Sequence, residues 1–207
     1  MAAKKRKTTD FKFRSRRRDT DFKPDAKVST WTKTSRMTAQ QRLRLLKWVL
    51  YIGVIILALV VQDVVMSQFN ILGGTTDLPV AVILLITVIE GTEVGSLFVL
   101  IASTLYYFSG TAPGAYCIAL MCGFGIAAVM FRQLYWHRSK GSIVLCTGIA
   151  LMGYELGLFA VGLFSELTLW SHFGNFVLTG IYSCATLLAF YPLIYKIGLI
   201  GGNTWKE

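Results

Sequence analysis

The 207-residue chain is 54% apolar with a mean hydropathy of +0.56, and it carries a net charge of +10. That is too apolar for a water-soluble domain of this length and fits a chain solvated by lipid. The charge is concentrated at one end, since sixteen of the 21 Lys and Arg residues fall between Lys4 and Lys47, leaving only Arg132, Arg138, Lys140, Lys196 and Lys206; it therefore bears on topology rather than on fold.

Residues 1–37 mix Lys, Arg, Asp, Ser and Thr with few aliphatics, too little apolar surface to offset the entropy of ordering, and are expected to form a disordered cytoplasmic arm. Phe11, Phe13, Phe22 and Trp31 interleave with its basic residues. Such a pattern suits anionic headgroups, which attract each nearby Lys or Arg by about 1 kcal/mol. A membrane-tethered arm meets lipid first, so the expected role is lipid contact or topology setting, not nucleic-acid binding. Thr38 and Gln41 match a capping box that would start a helix carrying Arg42, Arg44 and Lys47 just outside the bilayer. No small-residue cleavage site follows the first apolar run at Ser67 to Asn70, so the run is expected to stay as a membrane helix rather than leave as a signal peptide.

Four segments, roughly 48–66, 114–132, 141–164 and 174–196, approach the length of about 20 residues needed to cross the hydrocarbon. Between Leu78 and Ser109 the chain is apolar except for Glu90-Gly91-Thr92-Glu93. A single span there would send the Arg132, Arg138, Lys140 loop outside. A tight hairpin with arms Leu78 to Ile89 and Val94 to Ser109 keeps that loop, the Lys196 and Lys206 tail and the N-terminus all in the cytoplasm, as the positive-inside bias requires. These arms measure about 18 and 24 Å, short of a core of about 30 Å, so bilayer thinning, burial against neighbours or a re-entrant path must make up the difference. The expected fold is an all-α polytopic membrane bundle of about six transmembrane helices over 38–207.

Gly91 and Gly95, Gly110 and Gly114, and Gly153 and Gly157 each lie four apart, the spacing that lets backbones approach closely. Glu155 falls mid-span, where a carboxylate must face the bundle interior or a polar cavity; Tyr154 and Thr147 are its local candidate partners. Gln62, Asp63, Glu90 and Glu93 sit where interfacial position alone would account for them. Gln62, Glu90, Gly91, Glu93, Gly95 and Glu155 are the candidate partner-contact or interior polar residues. Cys117, Cys122, Cys146 and Cys184 make neither a CxxC pair nor a zinc pattern and read as buried small apolar residues. HExxH, GxSxG and phosphate-cradling glycine loops are lacking, and His137 and His172 fall on opposite sides of the membrane, so catalytic, metal and cofactor sites are not expected.

Gln62 late in the first span, Ile71-Leu72-Gly73, Asp77-Leu78-Pro79, and Glu90-Gly91 with Val94-Gly95 ahead of an apolar run and Ser109-Gly110 resemble the rod shape-determining protein MreD family. The resemblance covers about residues 42–200 and rests on the order of these elements. It implies a non-enzymatic bacterial inner-membrane scaffold, multi-pass with both termini cytoplasmic. The scaffold would act with an MreC-like protein, the actin-like MreB, the RodA glycan polymerase and a class B penicillin-binding protein in lateral peptidoglycan synthesis. The chain departs from the family in two places: an acid usual at the outer end of the third span is replaced near Tyr107, and the basic arm is longer. An alternative of another class is the substrate-binding S component of an energy-coupling-factor vitamin transporter. Its coupling signature, two alanines three apart in the first span, is reduced here to Ala58 alone.

Overall fold

The computed structural model describes residues 39–65, 74–135 and 140–200. The basic arm, Thr38 of the capping box, Ile71 to Gly73, His137, Arg138 and Lys206 lie outside them. Six α-helices follow in order: α1 (Ala39–Val64), α2 (Leu78–Glu90), α3 (Thr92–Phe108), α4 (Tyr116–Tyr135), α5 (Lys140–Phe164) and α6 (Phe173–Gly198), with a short 3-10 turn, Trp170–His172, before α6. Four helices, α1, α4, α5 and α6, are long and apolar enough to cross a membrane, while α2 and α3 are shorter.

The expected hairpin forms, and its turn is a single residue. Gly91 adopts φ +86°, a left-handed conformation that side chains disfavour. Its N–H closes α2 on the Thr87 carbonyl at 3.2 Å, and its own carbonyl accepts from Gly95 N–H at 2.8 Å to open α3. Gly95 is required on other grounds. A Cβ there would collide with the backbone carbonyl of Thr87, so the hairpin arms touch main chain to main chain.

Every residue of α2 from Leu78 to Glu90 is buried, because the helix packs against all five of the others. A helix apolar all round has no solvent or lipid face to present and becomes the centre of the fold. α2 runs alongside α1 from the level of Gln62 back to that of Lys47, and both its ends are enclosed by protein. α3, in contrast, is one-sided. Phe98, Val99, Ala102 and Tyr106 face inward, while Leu97, Leu100, Ile101, Leu105 and Phe108 face out.

Glycines and rings lock the sheath. Cβ atoms on Gly153 and Gly157 would lie 2.7 Å from the Phe124 ring and 3.1 Å from Leu120, so the small-residue face of α5 seats α4 as its spacing predicts. Phe98 of α3 meets Trp48 and Tyr51 of α1 at ring-centroid separations of 5.7 and 6.0 Å, in the favourable range for aromatic pairs. Cys117 and Cys146 are buried as expected, but Cys122 and Cys184 are only partly so; all four are free thiols.

Candidate functional site

A helix leaves backbone donors unsatisfied at its start and acceptors at its end. In α2 both ends lie inside the bundle, and side chains from other helices meet these needs, which creates two polar clusters about one helix length apart.

At the end of α2, Glu90 is 4% exposed and Lys47 5%. Glu90 Oε1 accepts from Lys47 Nζ at 2.5 Å and from the Tyr51 hydroxyl at 2.5 Å. Arg132, from the last turn of α4, donates through Nη1 to the Val88 carbonyl at 2.7 Å, placing a cation on the negative end of the α2 dipole. Glu90, Lys47 and Arg132 are all buried in the bundle, so Glu90 is held by specific partners as well as by its position along the chain. They are there because the short α2 draws its C-terminus inward, and its carboxylate and carbonyls need cations. Glu93 is exposed, as an interfacial residue should be, and Gln133 Nε2 bridges to Thr92 Oγ1 at 3.1 Å.

At the start of α2, the Gln62 amide serves the chain twice: its Oε1 accepts from Leu78 N–H at 3.1 Å and its Nε2 donates to the Thr76 carbonyl at 2.5 Å. Ser183 Oγ accepts from Asp77 N–H at 2.8 Å and Thr179 Oγ1 from Thr75 N–H at 3.3 Å, both from α6. Tyr106 donates its hydroxyl to Asp77 Oδ1 at 3.2 Å. In the connection before α2, burial pushes the Asp77 carboxyl up to about 6, against the lowering effect of the Tyr106 hydroxyl and the Val80 N–H.

These groups border a cavity of about 440 Å³ whose walls come from α1, the 75–77 segment, α3, the 111–113 turn, α5 and α6. Asp63, Thr75 and Pro113 are exposed at its rim, and Glu155 and Leu158 are buried at its floor. Glu155 is 2% exposed. The expectation of an interior carboxyl facing a polar cavity holds, but neither local partner does. Tyr154 is the next residue in the helix and points to a different face, while the Thr147 hydroxyl is spent on the Ile143 carbonyl at 2.7 Å. Glu155 Oε1 has no hydrogen-bond partner among the described residues.

The six sequence candidates are thus divided. Gln62 and Glu155 belong to the cavity; Glu90, Gly91, Glu93 and Gly95 lie around the opposite end of α2. Sequence reasoning passed over Asp77 and Tyr106 as site residues. Asp77 stood within the resemblance as Asp77-Leu78-Pro79, a helix-start signal with proline in the first turn, and Tyr106 adjoins the position where an acid is replaced. No family model, no curated protein and no solved structure matches the chain.

Proposed function

We propose that this chain is a non-enzymatic scaffold of the bacterial cell-elongation machinery in the inner membrane. It would hold an MreC-like protein and, with it, MreB, RodA and a class B penicillin-binding protein, directing lateral peptidoglycan synthesis. The observation that carries this reading is spatial. The scattered residues of the MreD resemblance, Gln62, Asp77, Glu90, Gly91 and Gly95, meet at the two ends and the turn of one sheathed helix. Their order along the sequence then follows from one packed unit, which is what a shared fold imprints and chance spacing does not.

In this reading all six helices cross the membrane, α2 within its sheath and α3 with its Leu97 to Phe108 face on lipid. Both termini are cytoplasmic, because Lys47, Arg132 and Lys196 gather at one end of the bundle and Asp63, Asp77 and Glu166 at the other. The basic composition of residues 1–37 would suit anionic headgroups. Depletion in a rod-shaped host should round or widen the cells, and affinity purification in mild detergent should bring down a periplasmic coiled-coil protein. Unchanged shape, with growth made dependent on one vitamin, would instead select the transporter S component, a second reading that the cavity beside Gln62 favours.

A further inference from the structure

The cavity between Asp63 and Glu155 answers none of the needs of a scaffold, and its chemistry is one-sided. Among the described residues three carboxylates, Asp63, Asp77 and Glu155, line it, and no Lys, Arg or His does. Buried polar atoms nearly always have partners, and a membrane-embedded carboxylate without one is costly, so each exception calls for a physical reason. Two exceptions border this one space. Glu155 Oε1, at its floor, and Thr76 Oγ1, in its wall, are both buried without a hydrogen-bond partner among the described residues. Gln62, Ser183 and Thr179 are by contrast engaged in holding the start of α2.

We propose that the cavity is a binding site for a small organic monocation, with Glu155 as its counter-ion at the floor. Its volume of about 440 Å³ falls in the range of pockets that enclose whole small molecules, and a single inserted side chain would fill only part of it. A bare metal ion is a poor match, because no His, Cys, Asp or Glu group among the described residues is close enough to hold one. An ammonium or guanidinium head would meet Glu155 Oε1 and Thr76 Oγ1 as acceptors, and Tyr106 and Phe176 in the walls are aromatic residues of the kind that attract cations. The rim is open at Asp63 and Thr75, on the side where the reading above places the periplasm. The inference does not rest on the scaffold reading: a cation site can regulate a scaffold or serve a transporter, and a cell-shape assay tests neither.

The experiment uses the full chain in detergent, with calorimetric titration and thermal shift. The probes are choline, n-butylammonium and n-butylguanidinium, with 3,3-dimethylbutan-1-ol as the uncharged analogue of choline. At least one cation should bind saturably and raise the melting temperature, with the neutral analogue at least tenfold weaker. Glu155→Gln, which keeps shape and hydrogen-bonding capacity, should weaken that cation at least tenfold. Asn175→Lys, which sets a tethered ammonium in the cavity, should abolish binding and raise the melting temperature without ligand. Having two variants keeps the test decisive should one fail to accumulate. Equal binding of choline and its neutral analogue, absence of binding by all three cations, or binding untouched by a well-folded variant would each overturn the proposal, as would stronger stabilisation by Mg²⁺ or K⁺.

Discussion

Lys47 and Glu90 are expected to be worth more as a pair than either is alone, and the geometry says by how much. The single changes Glu90→Leu and Lys47→Met each leave one charge without its 2.5 Å partner at a site only 4 to 5% exposed. Breaking a buried ion pair from one side costs about 3–5 kcal/mol. The two sides are not equivalent. Lys47 has a long stem near the end of α1 and can extend its ammonium towards water, so Glu90→Leu should fall at or below the lower bound. Glu90 ends a helix enclosed by five others and has no such escape, so Lys47→Met should cost more. Removing both charges leaves the Tyr51 hydroxyl as the orphan, a penalty of about 1–3 kcal/mol. The double variant should therefore be more stable than Lys47→Met alone, and adding Tyr51→Phe should recover most of the remainder. Reversible unfolding in mixed detergent, followed by tryptophan fluorescence, gives each corner of the cycle. Single variants within about 1 kcal/mol of wild type, or a double variant as costly as the sum of the singles, would refute the argument, since additive effects mean that the two groups do not interact.

Gly95→Ala should sharply lower the yield of folded protein, because its Cβ meets rigid backbone at Thr87, whereas Gly123→Ala on α4 meets nothing within 4 Å and should gain up to about 1 kcal/mol in helix propensity; yield and melting temperature separate the two. Because burial raises the Asp77 carboxyl from 3.8 to about 6, its contribution is fully present below pH 3.8 and is lost as pH rises through 6. The melting temperature of wild type should consequently fall relative to Asp77→Asn between pH 4 and pH 7, and a pH-independent difference would contradict this. Reporter fusions at Ser139 and the C-terminus should report cytoplasm and a fusion at Thr168 the outside; an external Ser139 would mean that α2 and α3 together cross only once.

The long helices were legible because hydropathy over some twenty residues is a strong signal, and the hairpin because Glu90-Gly91 interrupts an apolar run. The central place of α2 was not legible. Its apolar run from Leu78 to Ile86 would read the same against lipid as against five helices, and only the shortness of the helix hinted at the difference. The partners of Glu90 were hidden for another reason: Lys47 and Tyr51 lie about forty residues upstream and look interfacial by position, since nothing local marks the depth to which a short helix draws its end. Gly153 and Gly157 were read correctly as packing, because the requirement for a small residue is local, although the identity of Phe124 as what fills the space is not. The cavity gathers residues from six separate segments, so only Glu155, conspicuous as a carboxyl in the middle of a span, announced it in advance.

The sheathing of α2 also dictates an order of manufacture. α2 is made before α3 to α6, yet Ser183 near its start and Gly198 against Ile89 near its end both belong to α6, which is made after the other five. Until then the N–H of Asp77 lacks its Ser183 acceptor and Ile89 lacks its contact with Gly198. A nascent chain stalled before α6 therefore carries an unfinished centre. The last helix serves as the closing stave of a cask whose innermost member was laid down early.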